Sequence, residues 1–130
     1  MGAQLQKNLV ANSDFIVTIS NDAWFGNSIG PWQHLQMAQM RALEFGKPVI
    51  RATNTGITAF IDAQGKIVAQ APQFVETVLT HNMAPTEGKT PYAVLGDTPL
   101  FILSAVFFLL HLLGGLIQRR ILKKVQHPTA

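Results

Sequence analysis

Cysteine is absent from this sequence of 130 residues. The chain by itself therefore offers no disulfide, no thiol nucleophile and no thiolate ligand for a metal ion. Its histidines, His34, His81, His111 and His127, share no helical or turn spacing. The sequence accordingly predicts no metal site and no cofactor.

Charged residues are also scarce, at 13% of the chain, and the positive ones are unevenly distributed. Residues 1–117 contain six Lys or Arg against seven Asp or Glu, whereas residues 118–130 contain four cations and no anion. A nucleic-acid-binding domain needs a basic face on its folded part, and this pattern provides none. We expect no nucleic-acid partner, and the basic tail instead suits contact with anionic lipid.

An uncharged apolar run, LFILSAVFFLLHLLGGLI, occupies residues 100–117. As a helix it would extend roughly 27 Å, close to the thickness of the hydrocarbon core of a bilayer. Arg119, Arg120, Lys123 and Lys124 follow directly, and cations beside a membrane span stay on the cytoplasmic side. The sequence predicts one transmembrane helix at 100–117, a basic cytoplasmic tail at 118–130 and a periplasmic location for residues 1–99.

Before that run, helical and strand patterns alternate as in an α/β domain. The continuous apolar run FIVTIS is typical of a strand buried on both faces of a sheet. Two parallel strands and a hairpin cannot cover both faces of a sheet by themselves, so residues 1–83 are predicted to be the C-terminal part of a larger α/β domain. Helices are predicted over 3–12 and 32–46, strands over 15–20, 48–53, 57–62, 66–71 and 74–83, and a linker over 84–99.

The longer predicted helix has recognisable ends and an apolar stripe. Pro31 suits its first turn and Gly46 its C-terminal cap. The residues predicted to face the core are Leu35, Ala38, Ala42 and Leu43.

The loop SNDAWFGNSIGP, residues 20–31, carries the densest functional signal. It follows a predicted buried strand, where α/β sheets usually place a site. It joins the polar pair Asn21 and Asp22 to the aromatic pair Trp24 and Phe25. The structural alternative is that the aromatic pair plugs the sheet edge while the polar pair caps turns.

Two further polar residues accompany the next strand. Arg51 lies within it, and a buried arginine requires a carboxylate partner, for which Asp22 and Glu44 are the candidates. Contact with a phosphate headgroup is the alternative role for this guanidinium. Asn54 lies in the turn after the strand. Glu44 is spaced for a helix-surface ion pair with Arg41 or Lys47.

These motifs together resemble a known family. The stretch TISNDAWFGNSIGPWQHLQMAQMRALEFGKPVIRATNTGITAFIDAQGKIV is similar to the C-terminal half of the nitrilase-like domain of the apolipoprotein N-acyltransferases. The similarity continues through a TPYA-containing linker into a last membrane helix, so it covers nearly the whole chain. Other nitrilase-like enzymes share only a looser strand and R-A-x-E pattern.

The resemblance implies a nitrilase-like αββα sandwich on the periplasmic side of a bacterial inner membrane. It also implies acyl transfer from a phospholipid to the N-terminal amine of a diacylated prolipoprotein, through a thioester on an enzyme cysteine. The family uses a Glu-Lys-Cys triad, whose cysteine precedes the helix at residues 3–12. No catalytic residue is therefore expected in this chain. The triad is expected upstream of Met1, in the remainder of the same enzyme, which would make the chain an N-terminally truncated piece.

The resemblance assigns the loop residues a supporting role. Trp24 and Phe25 are expected to contact lipid or acyl chain at the mouth of the active site, while Asn21, Asp22 and Asn54 hold the surrounding loops. Two alternatives stay open. One is another membrane-tethered nitrilase-like amidase. The other is a non-catalytic, membrane-anchored binding module, which the missing cysteine would favour if Met1 were the true start.

Overall fold

The structure, a computed structural model, describes residues 13–126, without the side chains of residues 116, 117 and 119–126. Met1 and the helix predicted over residues 3–12 lie outside the described residues. The chain separates into two compact units, of which the first ends at Val94 and the second begins at Leu95.

The first unit is built on a four-stranded mixed sheet. Its strands, β1 (Ile16–Ser20), β2 (Val49–Thr53), β3 (Ala59–Ile61) and β4 (Ile67–Gln70), are neighbours in chain order. β1 and β2 are parallel, and the pairs β2–β3 and β3–β4 are antiparallel. The sequence correctly predicted this arrangement of a parallel pair followed by a hairpin. Because β1 and β2 are parallel, the loops that follow them emerge at the same edge of the sheet.

Helix α1 (Gly30–Phe45) connects the two parallel strands and packs over β2 and β3. Pro31 lies in its first turn, and Gly46 ends it in the left-handed region at φ 61°, both as predicted. Its buried stripe contains Leu35, Ala38, Ala42 and Phe45. Leu43, predicted for the stripe, is half exposed. It follows Ala42 by one residue, which turns it about 100° around the helix, while Phe45 continues the i, i+3, i+7 spacing.

The hairpin between β3 and β4 closes on Asp62. The carboxylate oxygen Oδ1 accepts the backbone N–H groups of Gln64 at 3.0 Å and Lys66 at 2.8 Å. Gly65 supplies the positive φ, at 76°, that this turn requires.

The prediction that the first strand is buried on both faces is wrong for the described residues. Ile16 is buried under α1, whereas Val17 and Ile19, on the opposite face, are 63% and 84% exposed. A continuous apolar run indicates that both faces need a covering layer, and α1 covers only one.

The strand predicted over residues 74–83 is also absent, since residues 72–90 form no regular helix or strand. Phe74 has a φ of 60°, incompatible with an extended strand, and Val75 and Val78 are exposed. Alternating hydrophobicity predicts which face of a strand is buried, but a strand also needs a hydrogen-bonding neighbour.

Part of the segment predicted as a linker is attached to the end of α1. Thr86 Oγ1 donates to the Gly46 carbonyl at 2.6 Å, and Lys47 Nζ donates to the Thr86 carbonyl at 2.6 Å. A short helix, α2 (Pro91–Leu95), follows, and its Tyr92 ring meets Phe45 edge to face at 6.1 Å. The first unit thus extends beyond residue 83, to Val94.

The second unit contains one long helix, α3 (Thr98–Gln126). It continues through most of the basic segment that was predicted as a separate tail. Its window Thr98–Gly115 has a mean hydropathy of 1.9 and is long and apolar enough to cross a membrane, by length and composition.

Candidate functional site

The carboxylate of Asp22 is the centre of a polar cluster at the carboxyl edge of β1 and β2. Only 1% of Asp22 is exposed. Its Oδ2 accepts a hydrogen bond from Arg51 Nη2 at 2.8 Å, and its Oδ1 accepts one from Ser20 Oγ at 2.9 Å. His34 Nδ1 lies 3.0 Å from the same Oδ1. Because the carboxylate is the acceptor, this ring nitrogen carries the proton.

The electrostatics of the cluster keep Asp22 ionised. Burial raises the pKa of this carboxyl group, but the hydrogen bonds from His34 and Ser20 and the positive charge of Arg51 outweigh burial, so its pKa lies below the ordinary value of 3.8. Asp22 therefore serves as a fixed anionic acceptor and not as a proton donor at neutral pH.

Asn54 connects the loop after β2 to the loop after β1. Its Oδ1 accepts the backbone N–H of Asp22 at 3.0 Å, and its Nδ2 donates to Asn21 Oδ1 at 2.7 Å. Asn21 Oδ1 also accepts the backbone N–H of Ala23 at 3.1 Å. The two asparagines thus hold the two loops together, and an open groove lies between the strand ends. It is lined by Ile19, Ser20, Asn21, Ala52, Thr53 and Asn54.

Gly56 is required by the close approach of Asp22. A Cβ atom at Gly56 would lie 2.1 Å from Asp22 Oδ2 and 2.8 Å from its Cγ. Real atoms cannot be this close, so any side chain here would displace the carboxylate or the turn.

The aromatic pair of the loop lies in a short 3-10 turn, Ala23–Phe25, and its two members have different environments. Trp24 is 90% exposed, so it does not plug the sheet edge. The Phe25 ring packs edge to face on His34, with ring centroids 4.8 Å apart, and covers Gly30. Ile29 and Trp32 nearby in sequence are also exposed apolar residues.

The structure decides between the predicted partners of Arg51. Its guanidinium is 5% exposed and pairs with Asp22, while Glu44 pairs with Arg41 at 2.5 Å. Since Asp22 already neutralises this buried cation, the geometry does not favour contact with a lipid phosphate.

Sequence reasoning missed two members of the cluster, Ser20 and His34. Ser20 lies four residues after Ile16 in the same strand, so its side chain is on the same face of the sheet, the one covered by α1. His34 is the fifth residue of α1, at the start of its second turn, and side chains on a helix lean toward its N-terminus, here toward the loop. These two positional signals were available in the sequence, but they identify a face and not a partner.

The polar groups of the cluster are held in place by hydrogen bonds, including the one that the Ser20 hydroxyl donates to Asp22 Oδ1 at 2.9 Å. The Asp22 carboxylate accepts side-chain hydrogen bonds from Ser20, His34 and Arg51, and the groove beside it is lined by hydroxyl, amide and apolar groups. The site is thus a hydrogen-bonded polar cluster at the edge of the sheet, with the exposed Trp24 in the loop beside it. The triad expected upstream of Met1 falls outside this sequence, and its placement stays a prediction.

Comparison with known proteins identifies the family. Residues 3–92 match the carbon-nitrogen hydrolase family. This match covers more than half of the sequence, and the chain belongs to the carbon-nitrogen hydrolase family.

Several curated relatives share one name. The apolipoprotein N-acyltransferase of Pasteurella multocida is 69% identical over 121 residues, which are 93% of this chain and 23% of the relative. The protein of the same name from Haemophilus influenzae is 65% identical over 119 residues, 92% of this chain and 23% of the relative. The one from Photobacterium profundum is 54% identical over 117 residues, 90% of this chain and 22% of the relative. The chain therefore spans less than a quarter of the length of these relatives.

Proposed function

We propose that this chain is a segment of an apolipoprotein N-acyltransferase. The enzyme transfers an acyl chain from a phospholipid to the N-terminal amine of a diacylated prolipoprotein. The observation that carries the proposal is the 69% identity to a protein of that name over 93% of the chain. The loop SNDAWFG supports it, because Ser20 and Asn21 of this loop line the groove at the strand edge.

The nucleophile comes from the remainder of the enzyme, upstream of Met1. This chain contains no cysteine, so the thiol that forms the thioester intermediate lies elsewhere in the whole protein. The cluster of Asn21, Asp22, Arg51 and Asn54 fixes the two loops at the carboxyl edge of β1 and β2. Loops fixed in this way position a reacting group without taking part in bond formation.

The sheet provides a surface for the remainder of the domain. Val17 and Ile19 of β1 leave an apolar face uncovered by α1. In an αββα sandwich, a second sheet packs on such a face about 10 Å away. The exposed apolar face therefore supports the proposal that the first unit is one part of this sandwich.

The membrane assignment is based on α3. It spans the inner membrane with the segment Thr98–Gly115, and Arg119, Arg120, Lys123 and Lys124 hold its C-terminal end in the cytoplasm. Residues 1–99 are then periplasmic, on the side where lipoproteins are matured.

Trp24 and Phe25 form the lipid-contacting part of the site. Trp24 projects into solvent at 90% exposure, and residues 23–40 contain no Lys, Arg, Asp or Glu. Exposed tryptophan in an uncharged segment is suited to the boundary between water and lipid, because its ring is apolar and its indole N–H is polar. Phospholipid acyl donor and lipoprotein acceptor are the partners of this surface.

The proposal is tested by assaying three proteins with phospholipid and a diacylated lipopeptide. They are an intact enzyme that contains this segment, the same enzyme without the segment, and the chain alone. Mass spectrometry should detect the triacylated lipopeptide only with the intact enzyme. Product from the chain alone would contradict the thioester mechanism, and full activity without the segment would make it a non-catalytic membrane-anchored module.

A further inference from the structure

His34 makes two contacts that no other residue of α1 combines in the described part of the chain. Its Nδ1 is bonded to Asp22 Oδ1 at 3.0 Å. Its ring packs edge to face on Phe25, with centroids 4.8 Å apart and planes at 80°. The imidazole is about one-third exposed, so both contacts are partly shielded from water.

The first contact ties His34 to a fixed point. The opposite oxygen of Asp22 is held by Arg51 of β2 at 2.8 Å, and the backbone of Asp22 is held by Asn54 at 3.0 Å. Asp22 is thus anchored to the sheet from two directions. A side chain bonded to it takes a single orientation, because rotation of the imidazole would break the hydrogen bond to a buried carboxylate.

The second contact, with Phe25, joins the oriented His34 ring to the loop. The Phe25 ring contacts both His34 and the backbone of Gly30, where a Cβ atom would come 2.4 Å from Phe25 Cδ1. Phe25 therefore packs on the His34 ring and on a bare backbone position in the first turn of α1. Trp24, its neighbour, is 90% exposed, so among the residues of the 3-10 turn it is Phe25 that provides side-chain packing.

From these contacts we infer that His34 is a positioning residue. It couples the Asp22–Arg51 pair to Phe25 and so fixes the loop that presents Trp24. The expected effect of His34 on acyl transfer rests on the proposed function. The coupling between His34 and the loop does not, and it can be measured separately.

Two substitutions of His34 in an intact enzyme separate the two contacts. His34→Asn places an amide N–H near the position of Nδ1 and removes the ring, whereas His34→Phe keeps a ring and removes the hydrogen bond. Gln36→Ala, at an exposed position of the same helix, is the matched control.

The first readout is limited proteolysis with chymotrypsin, which cleaves after aromatic residues. Cleavage after Trp24 and Phe25 should accelerate about two- to tenfold in both His34 variants, the range supplied by the aromatic pair that His34→Asn loses and by the hydrogen bond that His34→Phe loses. Cleavage after Phe74, an exposed aromatic residue in the segment 72–90, should keep its rate. Gln36→Ala should match the parent enzyme at all of these sites.

The second readout is the rate of thioester formation against phospholipid concentration. A displaced loop should raise KM for the phospholipid more than it lowers the maximal rate, because the cysteine chemistry is untouched. Unchanged cleavage after Trp24 and Phe25 in both variants would overturn the positioning role. Equal acceleration after Phe74 would also overturn it, since His34 would then be a general structural residue. Faster cleavage in the loop with unchanged kinetics would uphold the coupling and contradict the part of the proposed function that assigns lipid contact to this loop.

Discussion

Arg51 Nη2 donates to Asp22 Oδ2 at 2.8 Å, and the two residues are only 5% and 1% exposed. This bond joins a side chain of β2 to the loop that leaves β1, although the residues are 29 positions apart in sequence. The pair also fixes the position of the Asp22 carboxylate, to which Ser20 and His34 are bonded.

Breaking the pair on one side should strongly destabilise the protein. Arg51→Met leaves the buried carboxylate without its cation, and such a change costs about 3–5 kcal/mol. The double variant Asp22→Leu/Arg51→Met leaves no unpaired charge and should recover much of this loss. Thermal unfolding of an intact enzyme in detergent measures the stability of the single and the double variant. Glu76→Gln, at an exposed position, is the control and should change stability by less than ~0.5 kcal/mol. Equal midpoints for Arg51→Met and the control would show that the pair contributes nothing.

The pair should also give the fold a defined sensitivity to acid. The folded-state pKa of Asp22 is lowered, because its bonds to His34 and Ser20 and the charge of Arg51 outweigh its burial. A lowered folded pKa means that the stabilisation is complete above the ordinary value of 3.8 and is lost as the pH falls through the folded pKa. The difference in unfolding midpoint between the parent and Asp22→Asn should therefore be constant from pH 7 to about pH 5 and shrink below it. A difference that stays the same down to about pH 3 would contradict this assignment.

The proposed membrane orientation predicts opposite results for fusions at the two ends of α3. A fluorescent protein that folds only in the cytoplasm should be active when fused after Ala130, and alkaline phosphatase at the same position should be inactive. Phosphatase inserted near Glu87, an exposed residue before α3, should be active. An active phosphatase after Ala130 in an otherwise intact enzyme would contradict the proposed orientation.

Several parts of the site could be predicted from the sequence because each depends on one strong physical requirement. A buried arginine needs a carboxylate, and this requirement alone identified Asp22 and Glu44 as the candidate partners of Arg51, of which the structure shows Asp22. The role of His34 could not be predicted in the same way. An imidazole can be a ligand, a base, a core residue or a surface residue, and only the distance to Asp22 and the ring contact with Phe25 distinguish these.

For the fold, too, the sequence predicted local features but not those that depend on a distant partner. Pro31, Gly46 and the hairpin around Gly65 are local signals, and the structure has a helix start, a helix end and a turn there. The strand predicted over residues 74–83 depended on a partner strand, which a local pattern does not reveal. The exposed Ile19 likewise shows that an apolar run reports the need for a covering layer and not its presence among the described residues.

The most direct test of the proposed function is Trp24→Ala in an intact enzyme. At 90% exposure Trp24 makes little contribution to a core, so truncation should leave abundance near normal, whereas loss of a buried tryptophan would cost about 3–5 kcal/mol. Val78→Ala, also 90% exposed but outside the loop, is the matched control.

The measurement follows both half-reactions on the same membranes. An alkylation shift reports thioester formation, mass spectrometry reports transfer to the lipopeptide amine, and an immunoblot reports abundance. We predict that Trp24→Ala slows at least one half-reaction at normal abundance while Val78→Ala slows neither. Normal abundance with both half-reactions at the parental rate would contradict the assignment of this loop to lipid contact.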